Sequence, residues 1–382
     1  MRVLAVVALL AGTVAAQTLI DPGRLSSSLR NLESALPGSL QCEVQPMRPV
    51  LNFGFRFQAG SVTRIPMKQY FGPGHEWGLL LRITPEGGQP VYLVERYKLP
   101  PVPRTNAIAA IGGGILLGEG RYAVAELLID DKNRSCRRDW KVEARLPLGE
   151  RKVELAVPPN TVCDFALDGC PRAARRDDAA PLRLTVLLDA PRPASRRPGA
   201  GPHGRLLLLG LLASLVERMP AAPVRLAVFS LDQQAVLYRN DQFSLGALHQ
   251  VSLVFNDPKL SLVDYHVLQK RKGHLDLLAE LVNGELNAPA RSDVVVFLGP
   301  PCRYYDKLPA DRLAEPAGAA PRFYYLQYQP APFAWNLQAI ASPPYAFDSI
   351  ASTVSRLKGR SMVIHTPGEL DKAIREMERP AP

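Results

Sequence analysis

No stretch of this chain after its first residues reaches the ~20 consecutive apolar residues that a bilayer-spanning helix needs, so a membrane-embedded body is not expected. Equally absent are the short motifs that announce common chemistries. There is no Gly-x-Ser-x-Gly elbow for a serine hydrolase. The six histidines (His75, His203, His249, His266, His274, His365) never fall at the i, i+4 spacing of a zinc peptidase. A Walker-type phosphate loop, an Asp-rich calcium loop and a paired Cys-x-x-Cys are missing too. His75-Glu76, between Gly74 and Trp77, reads as a turn rather than part of a ligand set. These absences leave no recognisable catalytic constellation, although catalytic groups can also converge from distant positions.

What is present begins with a leader. Arg2 gives a charged start, Val3 to Ala11 an apolar run too short to span a membrane, and Val14-Ala15-Ala16 a small-residue cleavage site before Gln17. Residues 1–16 are therefore read as a signal peptide, and the mature chain is expected in the periplasm or outside the cell. Five cysteines in an oxidising compartment permit two disulfides and one free thiol. Cys163 and Cys170 can close a small loop, Cys42 and Cys136 form a plausible pair, and Cys302 is then left over, although sequence leaves the connectivity open. A formal charge of +10 favours weak attraction to anionic surfaces. The basic clusters Arg172, Arg175, Arg176 and Arg192, Arg196, Arg197 lack the interleaved aromatics that stack bases. With export, this argues against nucleic acid.

At 382 residues and 47% apolar content the chain fills two ordinary cores of about 100 to 200 residues each. A polar lead covers 17–39. From 40 to 157 apolar and polar residues alternate between turn signals, the period of half-buried strands, with strands expected at 53–57, 77–83, 91–97, 121–129, 140–146 and 152–157. Phe53, Phe55 and Phe57 would share one face, and Gly112-Gly113-Gly114 would be a flexible loop. This segment is expected to be a β-sandwich, immunoglobulin-like in the loose sense. A Pro-, Arg- and Asp-rich linker occupies 158–180. Beyond it, strands at 184–188, 224–230, 294–298 and 323–328, of which 184–188 and 294–298 are apolar runs, alternate with helical segments at 205–219, 273–286, 349–357 and 369–377. A short strand at 235–238 pairs with its neighbour and another lies at 362–364. That alternation predicts a doubly wound α/β sheet over 181–378.

The run Leu184-Thr185-Val186-Leu187-Leu188-Asp189, the antiparallel pair that follows it and the later strand Asp293 to Leu298 resemble a von Willebrand factor A domain. They resemble in particular the divergent bacterial von Willebrand A-related exported proteins that carry a β domain ahead of it. The resemblance implies a cation site at the carboxyl ends of the strands, formed by an Asp-x-Ser-x-Ser loop, a Thr and a later Asp. Hard oxygen ligands of that kind suit Mg²⁺. Here the loop reads Asp189-Ala190-Pro191-Arg192-Pro193, His274 stands where the Thr would be, and Gly299-Pro300 follows the strand where the pattern has an aspartate. The metal site is therefore expected to be lost, with no cofactor.

Ligands of open α/β sheets gather at the carboxyl ends of the strands. Asp189, Ser195, His274 and Gly299, with Arg192 beside them, are the residues expected to line that crevice. Arg303, Tyr304 and Tyr305, in a long loop at the same face, are candidate anchors for a partner, since Tyr and Arg are frequent at binding surfaces. The aromatic stretch from Phe323 to Tyr328 offers a further surface only if one of its faces is exposed. The expected function is an exported, non-catalytic protein-binding or assembly component with a protein partner, the sequence leaving the oligomeric state open. The alternative is an envelope enzyme, hydrolytic in class, with an unrecognised site at the same strand ends, a reading that Asp189, His274 and a hydroxyl within hydrogen-bond reach would favour.

Overall fold

The computed structural model describes residues 18–20, 40–164, 181–191, 202–262, 265–304, 306–316, 318–329 and 347–379. The expected signal peptide (1–16), most of the expected polar lead, Arg192, Ser195 and Tyr305 lie outside the described residues. The chain divides into two compact units, Met1–Ala174 and Arg175–Pro382.

The first unit contains β1 (Thr18–Ile20), β2 (Glu43–Leu51), β3 (Phe57–Pro66), β4 (Glu76–Pro85), β5 (Val91–Lys98), β6 (Ile108–Leu117), β7 (Gly120–Asp130), β8 (Ser135–Ala144) and β9 (Val162–Cys163). They form two antiparallel sheets, ordered β1-β5-β4-β7-β8 and β2-β3-β6-β9. Strand alternation places Phe57, Ala59, Ser61, Thr63 and Ile65 of β3 inside, while Gln58 and Arg64 stay exposed. Ile65 and Ile111 of one sheet join Trp77, Leu79 and Leu128 of the other in one core. Cys42 and Cys136 are disulfide-bonded with Cα atoms 6.2 Å apart. Cys163 is also in a disulfide.

Several expectations fail here for local reasons. Residues 53–56 are a turn, not a strand, and β3 begins only at Phe57. Asn52 O accepts from Phe55 N at 2.9 Å, Asn52 Oδ1 accepts from Arg56 N at 3.2 Å, and Phe55 takes φ 57°. The polar turn chemistry of Asn52 outweighs the aromatic alternation, so Phe53, Phe55 and Phe57 share no strand face. Gly112 to Gly114 are not a flexible loop but the middle of β6, paired with β3 from Val62 to Gly60. A Cβ on Gly113 would lie 2.8 Å from Leu81 Cδ1 of the facing sheet. Glycine therefore permits close approach where any side chain would hold the sheets apart. Residues 152–157 are not a strand, although Val157 is buried. β1 falls inside the presumed polar lead and pairs with β5, and β9 falls inside the presumed linker and pairs with β6.

The second unit comprises β10 (Leu182–Asp189), α1 (Pro202–Arg218), β11 (Ala221–Ser230), β12 (Ala235–Asn240), α2 (Leu248–Asn256), α3 (Tyr265–Gln269), α4 (Gly273–Leu286), β13 (Val294–Gly299), β14 (Arg303–Tyr304), β15 (Arg322–Tyr328), β16 (Phe347–Asp348), α5 (Ser349–Arg356), β17 (Arg360–Ile364) and α6 (Pro367–Glu378). Six strands form one mixed sheet, β12-β11-β10-β13-β15-β17. Only β12 runs antiparallel to its neighbour. Leu187, Phe229, Phe297 and Tyr325 pack on one face with Leu278 and Val282 of α4 and Ile350 and Val354 of α5. The alternate residues Val186, Leu188, Val228, Val296 and Leu326 are equally buried. That two-sided burial is why these strands read as unbroken apolar runs. It also removes the aromatic surface considered above, because Tyr324, Tyr325 and Tyr328 are all buried. No helix among the described residues is long and apolar enough to cross a membrane.

Strand order reverses between β10 and β13. The chain runs one way from β10 through β11 to β12 and the other way from β13 through β15 to β17. A crevice at the carboxyl ends of the strands is expected at such a point.

Candidate functional site

Asp189 ends β10 and is wholly buried. Its Oδ2 accepts the thiol proton of Cys302 at an Sγ to O distance of 3.0 Å. Cys302 is a fully buried cysteine outside any disulfide, brought there by the turn that follows β13. Its backbone N–H donates to Asp348 Oδ2 at 3.0 Å, and its carbonyl accepts from Ser349 N at 2.9 Å. Asp348 is the N-cap of α5, its Oδ1 accepting from Ala351 N at 2.8 Å. Gln327 Nε2 donates to the same Oδ2 at 2.7 Å, and Tyr325 directs its hydroxyl mainly to Pro300 O at 2.8 Å. Two carboxylates thus grip one cysteine, Asp189 through the thiol and Asp348 through the main chain.

Gly299 closes the other side of Asp189. A Cβ there would stand 2.8 Å from Asp189 Cβ, which leaves no room for the aspartate that a von Willebrand A pattern has after this strand. Mg²⁺ requires near-octahedral oxygen coordination with several waters. A fully buried carboxylate already holding a thiol proton, beside a position too tight for a second one, does not fit that ion. Among the described residues no three His, Cys, Asp or Glu side chains converge as a metal-holding group.

His274, second residue of α4, stacks on the ring of Tyr304 with centroids 4.2 Å apart and planes inclined by 19°. Tyr304 OH donates to Asp232 Oδ1 at 2.9 Å. The imidazole is buried, and its Nε2 has no hydrogen-bond partner. Desolvation pushes the His274 pKa down, opposed by the negative charges of Asp306, Asp276 and Asp232. Asp189 is engaged with Cys302, and His274 with the face of Tyr304.

β14 and β16 form a small antiparallel ribbon, pairing Arg303 with Asp348 and Tyr304 with Phe347. Arg303 and Lys307 are exposed, and Phe347 is 43% exposed with the Lys307 ammonium 4.1 Å above its ring. Of the residues singled out from sequence, Asp189 and Gly299 touch, while His274 and Tyr304 stack. Arg303 sits on the ribbon beside them. Cys302, Asp348, Asp232, Gln327 and Phe347 escaped sequence reasoning. Cys302 was visible only as an odd cysteine, and Asp348-Ser349 only as a helix-start signal.

No family model and no curated protein matches the chain. Among solved structures, a hypothetical protein from Pyrococcus horikoshii OT3 is 15% identical over 30% of this chain and 99% of its own, with TM-score 0.22. Superoxide reductase (neelaredoxin) from Archaeoglobus fulgidus is 13% identical over 28% and 92%, with TM-score 0.20. A putative beta-galactosidase from Bacteroides fragilis is 10% identical over 76% and 42%, with TM-score 0.21. Likeness at this level assigns neither family nor activity.

Proposed function

We propose that the chain is an exported, non-catalytic protein-binding or assembly component, in which a β-sandwich precedes a degenerate, metal-independent von Willebrand A-like α/β unit. The observation that carries this reading is the Cys302 thiol on Asp189. The one acid kept from the cation-binding pattern is committed to an internal hydrogen bond and walled in by Gly299. Strand order with a reversal at β10 and β13 supports the doubly wound architecture. Two sheets sharing one core support the sandwich. The Cys42–Cys136 disulfide suits an oxidising compartment. Binding is assigned to the rim of the crevice, where Arg303, Lys307 and Phe347 present two cations and an aromatic ring to solvent.

The test is capture of partners from a solubilised envelope extract of the native host on immobilised mature chain, with EDTA and magnesium arms in parallel and an Arg303→Ala/Phe347→Ala control. One discrete protein enriched equally in both arms and lost from the control is the expected result. Enrichment only with magnesium overturns the metal-independent reading, and equal enrichment on the control overturns the assignment of the rim.

A further inference from the structure

The crevice reading leaves His274 without a task. The imidazole is buried, yet its Nε2 has no hydrogen-bond partner, a costly arrangement for a polar atom. The ring lies against the face of Tyr304. Tyr304 in turn is held at its far end by Asp232, in the turn between β11 and β12. The negative charges acting on His274 come from three elements: Asp306 on the loop after β14, Asp276 on α4 itself, and Asp232. Asp276 is also engaged by Arg312 Nη1 at 2.5 Å, and Asp232 already accepts the Tyr304 hydroxyl.

While the imidazole is neutral it lies flat on Tyr304 at little electrostatic cost. Protonation makes both ring nitrogens N–H donors, leaves the buried Nε2 with no acceptor and places a cation among three carboxylates. The charged ring is stabilised by reaching Asp232 or Asp306 or by gaining water. Reaching Asp232 displaces the Tyr304 hydroxyl, and gaining water unstacks the ring. Either movement frees Tyr304, and with it β14, whose neighbour Cys302 anchors the loop to Asp189.

We propose that His274 and Tyr304 form a proton-operated latch on the loop carrying Arg303, Tyr304 and Lys307, closed while the imidazole is neutral and released when it is protonated. The inference rests on the binding reading for its purpose, since it regulates the same rim, but not for its test. The direction of its proton linkage follows from burial. The closed state disfavours the imidazolium, so acid favours the open one.

Cys302 supplies the readout, being a thiol outside any disulfide and buried in the closed state. The full mature chain is labelled with 4,4′-dithiodipyridine at about pH 7.5 and about pH 5, bracketing the usual His range. Labelling at Cys302 is located by peptide mapping, and its rate is divided by that of the urea-unfolded chain at the same pH. Protection of Cys302 is expected to fall about tenfold at the lower pH. His274→Phe, which keeps an aromatic ring for stacking but cannot titrate, should hold its protection at both values. An unchanged ratio in the wild type, or the same fall in His274→Phe, overturns the latch. Should that variant not fold, NMR titration of the wild-type imidazole decides the matter. Tyr304 ring resonances that move with the same midpoint support the latch, and resonances that stay fixed as His274 titrates overturn it. Partner capture enters neither measurement, so failure of the binding reading leaves this result standing, and the reverse.

Discussion

The two units of this chain bury carboxyl groups in opposite ways. In the first, Glu126 projects from β7 into the space between the sheets, fully buried, and accepts hydrogen bonds from the hydroxyls of Ser61 and Thr63 on β3. In the second, Asp189 lies at a strand end, held by a thiol and hemmed in by Gly299. One carboxyl is part of the core that joins two sheets, and the other sits where α/β proteins ordinarily place their chemistry. The contrast extends to covalent chemistry, because the first unit is cross-linked by disulfides and the second has Cys302 outside any disulfide. A buried polar group marks function only when its position in the fold offers access. Full burial alone does not distinguish these two.

The largest effect expected separates the units by their cross-links. The Cys42–Cys136 bond closes a loop with a sequence separation of 94 residues, and removing it with Cys42→Ala/Cys136→Ala should cost about 4 to 5 kcal/mol. Hydrogen exchange should show β2 and β8 losing protection while β10 and β13 keep theirs, and equal loss in both units would remove the contrast. A smaller effect compares two glycines. Gly299→Ala drives a Cβ to 2.8 Å from Asp189 Cβ, which is tied to the backbone, whereas Gly113→Ala meets the end of the Leu81 side chain at the same distance. Overpacking of this kind costs about 1 to 3 kcal/mol, and Gly299→Ala should lie at the upper end, Gly113→Ala at the lower. Urea unfolding of both variants ranks them, and the reverse order would show that the wall around Asp189 is more yielding than the sheet interface.

The second unit was far more legible in the sequence than the first, for physical reasons. Strands buried on both faces carry no alternation to misread, so 184–188 and 294–298 stand out as apolar runs, and α4 was expected over the same residues it occupies, Gly273–Leu286. In the first unit one face of each strand meets water and the signal is diluted. β2 includes Pro46 and Pro49, and β6 includes three consecutive glycines. Both composition signals mean loop in isolation and strand in the context of an edge or a close sheet contact. At the site, Asp189 and His274 were found because they lie on strong elements. Asp348 and Cys302 are 46 residues apart and meet only through the sheet, a juxtaposition that no local spacing encodes.

The smallest of the expected effects concerns Glu126 and sharpens the comparison of carboxyls. Burial raises its pKa above the ordinary carboxylate range, and the two hydroxyls, which favour the charged form, offset this only in part. The folded state therefore keeps the proton at pH values where the unfolded chain has released it. Its stabilising contribution is complete below the unfolded value of about 4.3 and is lost as pH rises toward the folded value, at no more than about 1.4 kcal/mol per pH unit. Asp130, in the same unit, behaves in the opposite sense. Desolvation raises it, but the guanidinium and backbone of Arg134 outweigh that and hold it low, so its contribution is lost as pH falls. Subtracting the stability of Glu126→Gln, which keeps the shape without titrating, cancels Asp130 and isolates Glu126. The difference between wild type and variant, measured by urea unfolding across the acid range, should slope downward above the carboxylate range. A flat difference would mean that Glu126 is already ionised in the fold, and that the hydroxyls of Ser61 and Thr63 solvate the charge as well as water does.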